Sequence, residues 1–192
     1  MEQIRSFIAI DLTDDLRSRL ARLEASLQAG GRFRAKWVKP ESIHLTLKFL
    51  GDVAADKITA IGDALTEAAQ GIPPFNLEVG ELGAFPNLSR TQVVWVGISG
   101  EMDKLELLRE RIETNLELLG FAPEKRAFRP HLTVARLYSG ASQEERREFG
   151  RHIAQTRFES AFLLVTAVRL MKSQLTPAGA VYTRRDSAEL TG

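Results

Sequence analysis

The sequence predicts an α+β fold of two pseudo-symmetric lobes, each an antiparallel sheet covered by helices, with a central cleft that takes one His-x-Thr-x motif from each lobe. Three observations carry this expectation. The 192 residues suffice for one domain or two small lobes sharing a core, and are too few for a modular multidomain chain. The order helix, strand, helix, strand, strand occurs twice, the signature of an internal repeat. The tripeptide His-Leu-Thr stands at the corresponding place in each copy, at residues 44–46 and 131–133.

Thr13 caps Asp14-Asp15-Leu16, and Leu16, Leu20, Leu23 and Leu27 recur at helical spacing, so residues 14–28 form an amphipathic helix ending at Gly30-Gly31. Residues 43–50 read as a strand closed by Gly51-Asp52. Ile58, Ile61, Leu65 and Ala68 mark one face of a second helix, and strand-like runs at 75–82 and 92–98 flank a Phe85-Pro86-Asn87 turn. The second copy opens with a helix over 102–119, striped by Leu105, Leu108, Ile112, Leu116 and Leu119 and stopped by Gly120. A strand over 131–137 follows, then Ser142-Gln143-Glu144-Glu145, a capping box that opens a helix to about Gln155. Strands at 162–171 and 180–184 surround a Thr176-Pro177-Ala178-Gly179 turn. The chain is thus expected to be a single domain, 1–192, with a repeat over about 13–98 and 101–185 whose copies form the two lobes. An offset of 87 residues carries His44 onto His131 and Trp95 onto Tyr182.

Composition narrows the function classes. Hydrophobic residues make up 44% and charged residues 27%, as in ordinary globular proteins. A net charge of +1 argues against a polycation that coats nucleic acid or anionic membrane, while leaving a local basic site open. The absence of cysteine excludes disulfides, thiolate nucleophiles and Cys-bearing metal sites. Phe7-Ile8-Ala9-Ile10 is stopped by Asp11, far short of a signal sequence or membrane span, so a cytoplasmic protein without membrane contact is expected. Three histidines without a His-x-x-x-His pair or an acidic loop give no reason to expect a metal. No P-loop or Gly-x-Gly-x-x-Gly calls for a nucleotide cofactor, and no Gly-x-Ser-x-Gly elbow supports a serine nucleophile. No heptad or apolar patch argues for a protein partner, and a monomer is expected.

The paired motifs carry the chemistry. Residues i and i+2 of a strand share a face, so His44 emerges with Thr46 and His131 with Thr133, while Leu45, Leu47, Leu132 and Val134 turn into the core. If the lobes face one another, two imidazoles converge on one cleft with two hydroxyls between them. Each imidazole titrates near neutral pH and is a candidate for proton transfer. A lone histidine of this kind is more often a satisfied core residue; the matched pair reverses that weighting.

Charge adds a second clue. Residues 31–50 hold Arg32, Arg34, Lys36, Lys39 and Lys48 against Glu41, a local +4, and residues 124–137 hold Lys125, Arg126, Arg129 and Arg136 against Glu124, a local +3. The remainder of the chain is −6. Positive charge therefore gathers in sequence around both histidine strands, where a phosphate-bearing ligand would need it. Lys48 and Arg129 are candidate ligands of that phosphate. Two histidines in a basic cleft suit acid–base attack on a phosphodiester, one imidazole taking the proton of the attacking water and the other protonating the departing oxygen. Thr46 and Thr133 would hydrogen-bond the non-bridging oxygens.

Several segments resemble the two-histidine (2H) phosphoesterase superfamily, and within it the RNA 2′,3′-cyclic phosphodiesterases, long labelled 2′-5′ RNA ligases. They are Arg5-Ser6-Phe7-Ile8-Ala9-Ile10-Asp11, Trp37-Val38-Lys39-Pro40-Glu41-Ser42-Ile43-His44-Leu45-Thr46-Leu47-Lys48-Phe49-Leu50-Gly51, Gly83-Ala84-Phe85-Pro86, Phe128-Arg129-Pro130-His131-Leu132-Thr133-Val134-Ala135-Arg136, Leu170-Met171-Lys172-Ser173 and Gly179-Ala180-Val181-Tyr182. The resemblance implies hydrolysis of an RNA 2′,3′-cyclic phosphate to a 2′-phosphomonoester, with His44 as proton donor and His131 as acceptor. It also implies weak reverse 2′-5′ ligation, no metal or nucleotide cofactor, and RNA ends bearing the cyclic phosphate, tRNA fragments among them, as partners. Arg136 matches a family position that is basic and near the phosphate.

On an ideal strand, however, Arg136 has the opposite parity to His131: either the strand ends or bulges before it, or the side chain faces away. Phe49 stands in the same difficulty relative to His44 and is equally a core candidate. Trp95 and Tyr182 are placed either to stack on a base or to fill the core. A different cyclic phosphate, a 2′-5′ oligonucleotide, or an RNA-binding module without catalysis are the competing readings.

Overall fold

The structure is a computed structural model that describes residues 2–177 and 179–192. Its elements run β1 (Gln3–Ile10), α1 (Asp14–Ala29), β2 (Ala35–Trp37), β3 (Leu45–Ala54), α2 (Ile58–Ala69), β4 (Phe75–Phe85), β5 (Val93–Gly100), α3 (Met102–Leu118), β6 (His131–Leu137), α4 (Gln143–Gln155), β7 (Ala161–Val165), β8 (Ala167–Thr176) and β9 (Gly179–Glu189). The helix signals act as expected. The Thr13 hydroxyl accepts from the Leu16 amide, Ser142 and Glu145 form the reciprocal capping box, and Gly120 takes the positive φ of 89° that ends α3. The turn expected at 176–179 includes Ala178, which lies outside the described residues.

The strands form two antiparallel sheets, ordered β3-β1-β8-β9 and β2-β6-β5-β4-β7. The two sheets do not coincide with the two copies of the repeat. The first is built from the chain's two ends and the second from its middle, residues 75–165, with β2 at its edge. The hairpin β4-β5 of the first copy pairs with β6, and the hairpin β8-β9 of the second pairs with β1, so each copy's closing hairpin completes the other copy's sheet.

The single strand expected over 162–171 is accordingly two. It breaks at Thr166, where the chain passes from one sheet to the other, and the alternation breaks there too: Ala161, Leu163 and Val165 are buried, then Ala167 and Val168 in succession. Strand β1 is the central strand missed by the sequence reading, because a strand buried on both faces reads as a plain apolar run. The strand expected to close at Gly51-Asp52 instead continues to Ala54, with Gly51 paired to Ser6 at a φ of 71°.

The helical stripes bury against these sheets in one continuous core, with Leu16, Leu20 and Leu27 of α1, Ile61 and Leu65 of α2, Leu105, Leu108 and Ile112 of α3, and Phe149 and Ile153 of α4. Helix α2 packs on β8, β9 and α3, and α4 on β4 and the turn before β5. The third histidine, His152 on α4, lies under the end of α1, where a Cβ on Gly30 would fall 1.9 Å from its ring, and it stacks on Phe33. It has no part in the cleft. Among the described residues no helix is long and apolar enough to cross a membrane.

Candidate active site

The open faces of the two sheets bound a cleft of about 890 Å³ lined by His44, Thr46, His131 and Thr133. Each motif stands at the start of the strand beside the central pair of its sheet: β3 next to β1, β6 next to β5. Leu45, Leu47, Leu132 and Val134 are buried on the opposite side, so the two-residue alternation turns both imidazoles and both hydroxyls outward as the spacing predicts.

Each ring has a backbone carbonyl acting on it from two residues earlier in the chain. The carbonyl of Arg129, two residues before His131, lies 2.6 Å from its Nδ1. A carbonyl only accepts, so Nδ1 carries a proton and Nε2 is the nitrogen left for chemistry. At His44 the carbonyl of Ser42, two residues before it, favours the charged form of the ring. The surroundings then differ. His44 is stacked on Phe7 at 4.6 Å and meets the edge of Tyr182 at 4.9 Å, whereas His131 meets Phe85 edge-on at 5.0 Å. Burial pushes the His44 imidazole below its ordinary value, against the pull of the Ser42 carbonyl and of Asp11.

The parity of Arg136 and Phe49 is resolved by a pair of bulges. In the β5–β6 ladder Trp95 pairs with Thr133 and Val94 with Ala135, so Val134 is an extra residue. In the β1–β3 ladder Ala9 pairs with Thr46 and Ile8 with Lys48, so Leu47 is extra. Leu47 and Val134 are themselves 87 residues apart. Each bulge reverses the alternation after the motif and returns the residue five places beyond the histidine to the histidine's face. Those residues are Phe49, 71% exposed, and Arg136, and both line the cleft. Tyr182 also faces it, against His44.

Lys48 is held differently. The bulge that brings Phe49 outward turns Lys48 inward, where it is 6% exposed and its ammonium is engaged by the Glu113 carboxylate and the Ala122 carbonyl. Glu113 also pairs with Arg109, whose guanidinium lies 4.8 Å from the Phe128 ring. This network ties β3 to α3 and to the segment leading to His131, and it engages two of the three N–H donors of Lys48. Lys48 nonetheless borders the cleft, as does Arg109, whereas Arg32, Arg34, Lys36 and Lys39 do not line it. The cleft's other cations are Arg126, Arg129 and Arg136, and Arg5 on β1, which the sequence reading did not assign. Trp95 packs over Gly83 and beside Phe85, touching His131 only through Phe85; its 87-residue relation to Tyr182 does not give the two rings equivalent places.

The profile of the LigT-like phosphoesterases matches the chain twice in tandem, at residues 10–95 and 96–182. The RNA 2′,3′-cyclic phosphodiesterase of Methanothermobacter thermautotrophicus is 33% identical over 94% of this chain and 96% of its own, and that of Aeropyrum pernix 36% identical over 85% and 90%. The crystal structure of Escherichia coli LigT complexed with 3′-AMP superposes with a TM-score of 0.78 at 25% identity, covering both chains completely, and that of its phosphate complex with 0.73. Tandem profile matches, full-length similarity and a common fold, together with the paired motifs, establish that the chain belongs to the LigT-like phosphoesterase family.

Proposed function

We propose that this protein opens the 2′,3′-cyclic phosphate at an RNA end to a 2′-phosphomonoester by acid–base catalysis between His44 and His131. The observation that carries the reading is the convergence of two His-x-Thr strands, one from each sheet, on a single cleft with free arginines at its rim. The relatives named RNA 2′,3′-cyclic phosphodiesterase support the substrate.

In this mechanism water enters on the His131 side. With Nδ1 protonated against the Arg129 carbonyl, neutral His131 offers the Nε2 lone pair as base and takes the water proton as the oxygen attacks phosphorus. The bond to O3′ breaks, and His44 delivers its proton to that oxygen, leaving the phosphate on O2′. Thr46, Thr133 and Arg136 hold the non-bridging oxygens, whose charge grows in the transition state. The reverse path, with a 5′-hydroxyl in place of water, exchanges acid and base and gives weak 2′-5′ ligation. RNA fragments carrying the cyclic phosphate, those of tRNA among them, are the expected partners. The test is incubation of an oligonucleotide ending in 2′,3′-cyclic phosphate with EDTA present. The expected product is the 2′-phosphate; its absence, or a 3′-phosphate in its place, overturns the reading.

A further inference from the structure

Between the end of α3 and the start of β6, residues 119–130 join no strand ladder, and the residues from Ala122 to Ala127 are all exposed. Little apolar burial therefore fixes this segment, although Glu124, Arg126, Phe128 and Arg129 line the cleft and the chain leads directly into His131. Side chains from two other elements hold it at three points. The Lys48 ammonium of β3 donates to the Ala122 carbonyl at 2.8 Å. The Glu124 amide donates at 3.4 Å to Oε2 of Glu113 on α3, the same oxygen that engages Lys48. The Phe128 ring lies 4.8 Å from the guanidinium of Arg109, which stands one turn before Glu113 and 3.5 Å from its Oε1.

Glu113 is the anion that both cations share, and its side chain is 13% exposed against 4% for Lys48. The cluster thereby joins the strand of His44, through Lys48, to the segment that ends at His131. Its last anchor, Phe128, directly precedes Arg129, whose carbonyl lies 2.6 Å from His131 Nδ1. Buried ion pairs add little stability over apolar packing of the same volume, whereas directional hydrogen bonds fix where a backbone runs.

We propose that Glu113 is a positioning residue for His131, resting on the reading of that histidine as the base: by gathering Lys48, the Glu124 amide and Arg109, it holds the Arg129 carbonyl against Nδ1 and leaves Nε2 free. Without the carboxylate the segment loses its ties, the carbonyl leaves the ring, and the neutral imidazole populates both tautomers. With the proton on Nε2 the lone pair sits on Nδ1, on the side of the Arg129 carbonyl, and cannot take a proton from the attacking water.

The test replaces the charged cluster with apolar chains of similar length, Lys48→Met/Arg109→Met/Glu113→Met. It reads the neutral His131 ring by nitrogen NMR, together with kcat on a 2′,3′-cyclic phosphate and the urea midpoint. With no buried charge left unpaired, the midpoint is expected at or above the wild-type value. The wild type should show Nε2 unprotonated; the triple variant should show both tautomers at His131, an unchanged ring at His44, and kcat lower by about tenfold. A role in stability alone predicts wild-type kcat at that midpoint. Glu113→Gln, which keeps an acceptor without the charge, should lower kcat by about threefold with the same tautomer change, and it decides the matter if the triple variant does not fold. A wild-type ring without the Nδ1 proton, an unchanged His131 tautomer in the variants, equal changes at both histidines, or wild-type kcat in the variants overturns the inference. A tautomer change confined to His131, in a protein whose wild type has no turnover, overturns the hydrolysis reading and upholds the positioning role.

Discussion

Beyond His131 the open face of its sheet continues over Gly97 and Gly80, flanked by the Trp95 ring and Ser160, while beyond His44 the corresponding face carries an ion-pair network. There Arg169 bridges Asp11 at 3.4 Å and Glu189 at 2.8 Å, and Ser187 closes the network onto Glu189. His44 is also flanked by two aromatic rings where His131 has one. The two regions share what the repeat imposes: the His-x-Thr strand, the carbonyl two residues earlier, and the bulge that brings out the residue five places on. They differ in what each sheet borrows from the opposite end of the chain. Symmetry supplies two candidate proton carriers, and its breakdown around them supplies their inequality.

The harshest way to break the comparison is to remove either imidazole. His44→Ala and His131→Ala should each lower kcat on a cyclic phosphate by about 10²- to 10⁴-fold, and the double variant should fall little further, because acid and base act as one unit. A variant that keeps wild-type turnover removes its histidine from the mechanism. At the equivalent outward positions, Arg136→Ala should cost about tenfold to a hundredfold in kcat/KM through lost charge-assisted bonds to phosphate, while Phe49→Ala should cost less than about fivefold. Equal losses at both positions would place Arg136 outside the phosphate site.

Lys48 separates a binding role from an architectural one. Lys48→Met leaves the Glu113 carboxylate poorly compensated in a buried setting, and urea denaturation should show about 3 kcal/mol of lost stability. A rise in KM at wild-type stability would return Lys48 to the substrate. Burial also marks His44 in titration. With His44 as acid, its burial-lowered pKa places the alkaline limb of kcat/KM below the ordinary histidine value, and bound phosphate, by favouring the imidazolium, moves the limb of kcat to higher pH. If it is instead the acidic limb that lies low and moves with substrate, His44 is the base.

The smallest effect lies away from the cleft. Burial, and secondarily the Glu41 carboxylate, raises Glu24 on α1 to about 7, and its Oε1 has no hydrogen-bond partner among the described residues. Because the folded value lies above the unfolded one, this carboxyl contributes stability below the ordinary glutamate range that is lost as pH rises toward 7. The Tm advantage of Glu24→Gln should therefore be near zero at pH 4.5 and reach a few degrees at pH 8; an advantage independent of pH would show that Glu24 does not titrate there.

Much of the site was legible because it obeys the period of two. His44, Thr46, His131 and Thr133 fall where strand alternation puts them, and the helix ends follow from Thr13, Ser142 and Gly120. Phe49, Arg136 and Lys48 were not legible, since one extra residue in each ladder reverses the alternation and nothing in Leu47 or Val134 announces it. Arg5 and Phe7 were hidden in β1, whose buried apolar run carries no sign of which side faces a cleft.

By itself the sequence determined the repeat, the two motifs at an 87-residue offset and the residue types that make acid–base chemistry available, because propensity, capping and alternation act over a few neighbouring residues. Which hairpin completes which sheet, which cations line the cleft, and how differently the two histidines are surrounded were decided by the tertiary structure. Those outcomes depend on pairings between strands distant in sequence, where the energy resides in burying the shared core of two sheets and not in any local stretch of chain.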